Sequence, residues 1–313
     1  MGIALAAGVA DLSGYNWLPT LSKEYRIVLR RAAILSAISN TNPRKMARGM
    51  GDTIRIPIKP QVRSTRGAVG YTNTWQSVAP TGIDLVIDRL RHWDFPVYDA
   101  QDVQSQIQGY ADNWAKDAGV NTNEDIEEEV FGEIFSSTLA DSHNRGATAG
   151  AKTASINLGT SDAPRTISAS EGTTFVVDAL LETGVVLDEQ DVGDSNRFWV
   201  VPPLLYARLK SALRAAQEMG DAKSILRGRT VGSLDGYQVY VSNRLPTYDA
   251  VGGKPVLPVI FGSRDALAFH IQSSDMEKVR LTTTMADGLR AEILYGFKMI
   301  LDTAIGTAFF TIV

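Results

Sequence analysis

Gly252-Gly253-Lys254 is the nearest the chain comes to a phosphate-gripping loop, in which backbone N–H groups cradle phosphate and the lysine neutralises it. Pro255 stands where serine or threonine is needed, and Tyr248 occupies the place of the first glycine, so the pattern fails. Gly232-Ser233-Leu234-Asp235-Gly236 has the glycines of a nucleophile elbow, but its serine comes one place early and the segment reads as a turn between strands. Asp188-Glu189-Gln190-Asp191-Val192-Gly193-Asp194 is acidic without the spacing of a calcium loop, and reads as a helix end and turn. His92-Trp93-Asp94 offers an imidazole beside a carboxylate, the pairing a general base needs. It reads better as a structural histidine near the root of an arm. Tyr71, Trp75, Trp93 and Trp114 do not form the compact basic and aromatic run on which bases stack. There is no cysteine, and His92, His143 and His270 are the only histidines, far apart in sequence. Thiolate chemistry is thereby excluded, and a histidine-built metal centre is not expected. The sequence predicts no catalytic group, no cofactor and no metal site.

The 313 residues must therefore be read for the elements they build. At 44% hydrophobic and 21% charged residues the chain has the composition of a folded protein, long enough for a sizeable core. Its net charge of −4 makes it a poor general binder of nucleic acid, which requires neutralising phosphates. The apolar start Met1–Tyr15 lacks the basic region of a secretory signal, and Ala6 breaks the myristoylation pattern. No uninterrupted apolar stretch is long enough to span a bilayer, so the expectation is a cytoplasmically made, soluble protein.

The small net charge conceals an asymmetry. Met1–Arg66 holds eleven basic and three acidic residues, a local charge of +8, and Asp112–Asp141 holds nine acids against Lys116 alone, a charge of −8. These are either two solvated faces or a complementary pair, a basic arm meeting an acidic helix within or between copies.

Leu21, Tyr25, Val28, Ala32 and Leu35 recur at helical spacing until Asn42-Pro43. Thr53–Lys59 alternates strictly, as does Ile83–Asp88, and Pro57 points to an edge or two-stranded ribbon. The glycine-punctuated stretch between them makes a long tip, and such a ribbon needs a packing surface on its own body or on a neighbour. Val103, Ile107, Tyr110 and Trp114 predict a helix ended by Gly119. Thr122–Asp125 resembles a capping box opening a second helix with the stripe Ile126, Val130, Phe131, Ile134, Phe135 and Leu139. Gly146–Gly172 reads as a loop or inter-domain crossing. An α/β unit follows, with helices at Thr174–Leu187 and from Pro203, and strands at Arg197–Val201, Gly236–Val241 and Val256–Phe261. Strands return at Val279–Leu281, Ala291–Leu301 and Ala308–Val313, suggesting a discontinuous domain with another inserted.

In this order the parts resemble the major capsid protein of tailed bacteriophages, the Hong Kong 97-type fold. The stretches that carry the resemblance are GDTIRIP, FVVDALLETGVVLDEQDV with RFWVVPPLLYARLKS, VGSLDGYQVYVSNRLP, VIFGSRDALAFHIQSSDMEKVR and ADGLRAEILYGFKMIL. Each is ordinary strand and turn chemistry alone; five in the family's order cover nearly the whole chain. The resemblance implies an α+β fold with an N-arm over 1–50, an extended β-hairpin loop over 51–98, and a peripheral domain with a long spine helix over 99–171. An inserted axial α/β domain over 172–261 and return strands over 262–313 complete it.

The function implied is a structural subunit, not an enzyme, that self-assembles through pentamers and hexamers into the icosahedral head around double-stranded DNA. A bacterial encapsulin-type nanocompartment shell is the alternative with the same fold. The expected location is the virion, with assembly in the host cytoplasm. Some members carry a long N-terminal scaffolding segment. Here the arm begins almost at once, implying either a separate scaffolding protein or one removed by cleavage. A portal, decoration proteins and DNA held without sequence-specific contacts are the other implied partners, and no membrane is involved. Members that crosslink covalently use a loop lysine; the tip from Pro60 to Gly82 has none, so no covalent mesh is expected. The residues expected at inter-subunit contacts are Arg55, Arg63, Arg66 and Trp75 on the loop, with Glu127, Glu128 and Glu129 on the acidic helix.

Overall fold

The computed structural model describes residues 34–40, 53–58, 81–99, 110–136, 140–168, 175–215, 233–234, 236–273 and 277–312, together with 62, 64–67, 69–70, 72 and 75–76 of the loop. The residues expected to form the first helix before Ile34, the segment with Val103 and Ile107, and Leu139 lie outside these.

A six-stranded sheet forms the centre, in the order β4 (Arg165–Ile167), β12 (Ile305–Ile312), β8 (Leu257–Ser263), β5 (Arg197–Val201), β7 (Tyr237–Val241), β6 (Ser233–Leu234). β5 and β7 run parallel. A parallel pair needs a crossover, and α4 (Pro203–Ala215) provides its helix. Every residue of β5 and β8 is buried, because both faces of the sheet are covered. Alternation along β5 divides the core. Trp199 and Val201 pack with Val176, Leu180 and Leu187 of α3 (Val176–Glu189). Phe198 and Val200 pack instead with Ile126, Val130 and Phe131 of α2 (Tyr110–Ser136).

A second sheet of four strands is built on the 14-residue β11 (Ala286–Met299). It pairs along one edge with β3 (Arg89–Tyr98). Its other edge takes β10 (Glu277–Arg280) and β9 (Leu267–Ser273). The short α1 (Leu35–Ile38) lies near β9, with Asn40 donating to the Leu267 carbonyl at 2.8 Å.

The ribbon β1 (Thr53–Ile58) and β2 (Thr81–Val86) is antiparallel, from Thr53 opposite Val86 to Ile58 opposite Thr81. Pro57 opposite Gly82 is tolerated because a two-stranded ribbon has a free edge on each side. Its root is anchored on the chain's own body: Ile54, Leu85 and Ile87 are buried with Ala268, against Leu294 and Ile300.

Three expectations are corrected. Gly119 ends no helix and Thr122 caps none, for α2 runs unbroken over 27 residues. Thr122 Oγ1 donates back to the Ala118 carbonyl at 2.8 Å inside the helix. An interior glycine costs about 1 kcal/mol, small beside burying Ile126, Val130, Phe131 and Ile134 at roughly 2 kcal/mol each. Next, 89–98 is not part of the projecting loop but a ten-residue strand of the four-stranded sheet. Its covered face carries Arg89, Arg91, Trp93, Phe95 and Val97 while Leu90 is exposed, the reverse of the usual pattern. Finally, the break placed between 261 and 262 is not a sheet boundary. β8 continues to Ser263, and β12 pairs with it instead of joining β11.

Candidate assembly surface

The acidic helix carries its carboxylates in two rows on either side of an apolar stripe. At 100° per residue, Ile126, Val130 and Ile134 form the stripe, with Asp125, Glu129 and Glu133 along one flank and Glu124 and Glu127 along the other. Glu128, one turn after Glu124 and 100° further round than Glu127, is exposed.

The first row grips β3 immediately after the ribbon root. Arg89 bonds Glu129 at 2.6 Å and Glu133 at 2.7 Å; Arg91 bonds Glu129 at 2.8 Å and lies 3.6 Å from Asp125. The hydroxyl of the buried Tyr295 on β11 also donates to Glu129. Arg89 is stacked 4.3 Å from the centre of the Phe297 ring. Burial alone would raise the Glu129 carboxyl, but hydrogen bonds from Arg91, Tyr295 and Arg89 together outweigh it and hold it below the ordinary value. The same bonds raise the arginines above theirs, against the opposing effect of burial. These partly buried, charge-assisted bonds fasten the ribbon root to the helix.

The second row holds the arm. Glu127 is only 4% exposed. One of its oxygens accepts the N–H groups of Ile34 and Leu35, the latter at 3.2 Å. Burial raises its carboxyl above the ordinary value, and the two N–H groups only partly offset this. Glu124, one turn earlier, pairs with Arg244 in the segment after β7.

The expected contact residues thus divide. Glu127 and Glu129 are engaged inside their own chain, and Glu128 remains on the outside. Arg55 lies 4.0 Å from Asp84 across the ribbon, and both are exposed. Arg66 is exposed, Arg63 lies outside the described residues, and Trp75 is 93% exposed. Val62 and Val69 are exposed as well, so the described residues of the loop between the ribbon strands present apolar groups with no cover from their own chain. The structure does not bring Arg55, Arg66 or Trp75 to the helix acids within one molecule.

Sequence reading missed Arg89, Arg91, Tyr295 and Arg244 as the partners of those acids. The available signal was the alternation Arg89-Leu90-Arg91, charged on the face that would be apolar in an ordinary strand. His92 lies opposite Glu292 in the sheet register and is exposed. An open groove of about 590 Å³ beside the end of α2 is floored by Phe135, Tyr248 and Phe309. Its lining carries hydroxyls and Arg145 but no carboxylate or imidazole. Among the described residues no group of three or more His, Asp or Glu side chains is placed to hold a metal ion. No described helix is long and apolar enough to cross a membrane.

The architecture has counterparts. A structure from Mycobacterium phage Che8 is similar with a TM-score of 0.66, at 22% identity, covering 98% of each chain. The capsid of cyanophage P-SCSP1u gives 0.62 at 13% identity, covering 95% of this chain and 93% of that one. The capsid of Ralstonia phage GP4 gives 0.62 at 12% identity, covering 99% and 98%. At these identities the likeness is one of fold. No curated protein matches the sequence. A family model described as phage capsid protein matches residues 94–308, more than two-thirds of the chain and nearly all the body on which the ribbon stands. The chain belongs to the phage capsid protein family.

Proposed function

We propose that this capsid protein works as the repeating subunit of an icosahedral head, in the Hong Kong 97-type arrangement of arm, extended loop, spine helix and inserted axial domain. The observation that carries the reading is the ribbon. Its root is fixed to its own body through Ile54, Leu85 and Ile87, while the loop beyond leaves Val62, Val69 and Trp75 exposed. Exposed apolar groups on a projecting element mark an interaction surface, and in a shell of identical copies the neighbour supplies the cover. Arg55 and Arg66 on the loop and Glu128 on the outer side of α2 are the charged residues placed to meet across that contact.

The subunit's work lies in these interfaces and not in catalysis. Pentamers and hexamers are the assembling units, formed in the host cytoplasm with a scaffolding protein and a portal. The DNA inside is held without sequence-specific contacts, consistent with a chain of net charge −4. The nanocompartment alternative is not favoured, since the matching family is that of phage capsids.

Negative-stain microscopy of the purified chain, alone and co-expressed with the scaffolding gene from its neighbourhood, tests the proposal. Closed shells are expected. A monodisperse monomer under both conditions, up to millimolar concentration, would refute it.

A further inference from the structure

Glu127 and Glu129 sit two residues apart on a rigid helix, about 200° around its axis from one another. One holds the backbone of Ile34 and Leu35; the other holds Arg89, Arg91 and Tyr295. The apolar stripe of Ile126, Val130 and Ile134 lies between them, buried against the sheets. We propose that the roll of α2 about its own axis jointly sets the position of α1 and of the ribbon root, so that loosening either attachment loosens the other. The coupling acts through contacts within one chain and does not depend on shell assembly.

The geometry supplies the reason. A carboxylate carried some 6 Å from the axis moves about 2 Å when the helix rolls by roughly 20°. That displacement breaks a hydrogen bond of ordinary length. The stripe resists rolling by packing, and the two flanking rows add the directional bonds that fix the angle. Residues 110–136 form one uninterrupted helix, so the roll cannot be absorbed by a break between the rows. Glu124 with Arg244 reinforces the α1 side, and Glu133 with Arg89 reinforces the ribbon side. Two parts of the fold, α1 near residue 34 and the paired strands around residues 90 and 295, are thereby referred to one helical turn.

Hydrogen exchange on the purified full-length chain reads this directly, with the amides of Val259–Phe261 in the central strand β8 as internal reference. Arg91→Ala removes a clamp on Glu129 and should speed exchange by about tenfold relative to β8 at Ile38 and Ser39, whose amides bond back to the Ile34 and Leu35 carbonyls. Tyr295→Phe, a milder change that keeps the core volume, should act in the same direction by a smaller factor. In the reverse sense Glu127→Ala should speed exchange across Arg89–Trp93. Glu127→Gln keeps the acceptor oxygen and should leave those amides near their original rates. Increases confined to the side of the substitution overturn the proposal. So does a uniform rise that includes β8, which would report global destabilisation and not a shared helix angle.

Discussion

Gly296 passes so close to Val86 that a Cβ on the glycine would lie 2.3 Å from the Val86 carbonyl oxygen. β11 and the ribbon root are therefore in backbone contact, and glycine is required because anything larger collides with main chain that cannot swing aside. Gly296→Ala should displace the end of β2 and destabilise the chain by about 1–3 kcal/mol. Gly288, on the same strand, has as its nearest neighbour at 3.4 Å a Leu281 side-chain carbon, so Gly288→Ala should be close to neutral. Urea unfolding of both variants decides it; equal midpoints would show that the close approach is not rigid.

Two acids on one helix should respond to pH with opposite sign. Burial raises Glu127 above its ordinary 4.5, so its contribution is fully present below that value and is lost as pH climbs through the raised one. Glu129 is lowered from 4.5, so its contribution is present above 4.5 and is lost as pH falls through the depressed one. Glu127→Gln should flatten the decline in stability above pH 4.5, and Glu129→Gln should flatten the loss on acidification below it. Glu127→Ala leaves two buried N–H groups without an acceptor and should cost about 1–3 kcal/mol at either end. Urea midpoints measured from pH 3 to 8 for each variant check the assignment. An unchanged profile for Glu127→Gln would mean that the carboxylate is better solvated than its burial indicates.

A polar contact lies within the core of the central sheet. Trp199 stacks on Tyr237 with ring centres 4.2 Å apart, and its indole N–H donates to Thr183 Oγ1 at 2.9 Å. Trp199→Phe removes the donor and part of the ring volume, and should lower stability by about 1–3 kcal/mol with a reduced near-ultraviolet circular dichroism signal. Thr183→Val deletes only the hydroxyl and should cost less. Equal losses in thermal unfolding would assign the effect to the hydrogen bond, and no loss in Thr183→Val would assign it to packing alone.

Trp75, 93% exposed, should contribute almost nothing to the fold of one chain. Trp75→Ala is expected to leave the thermal midpoint within about 1 °C, since isolated surface changes stay within ±0.5 kcal/mol. Assembly should nonetheless shift to higher protein concentration by tenfold or more, measured by sedimentation. Assembly curves that superimpose on those of the unaltered chain would remove Trp75 from the contact.

Local pattern carried a large part of this protein. The alternation of Thr53–Lys59, the stripe of Ile126, Val130, Phe131 and Ile134, and the apolar run Arg197–Val201 each announce an element whose period matches its burial. The ordering of those elements was enough to point to a capsid fold. The absence of cysteine and the failure of each catalytic template were equally legible, because they depend on residue identity alone.

What tertiary structure decided is where the charges go and where the boundaries fall. Nothing local distinguishes Glu127, Glu128 and Glu129. One is buried under the backbone of Ile34, one is exposed, and one is clamped by two arginines, because a helix turns 100° per residue and its surroundings differ on each side. Gly119 and Thr122 look like a helix end until the burial of the following stripe outweighs their propensities. Arg89–Tyr98 opens with Arg89 and Arg91 on its covered face ahead of Trp93, Phe95 and Val97, and only the acids brought alongside by the fold make arginine the residue that fits there. Strand partners 40 or more residues apart, such as β8 with β12, follow from packing the two faces of one sheet, a long-range contest that no window of sequence contains.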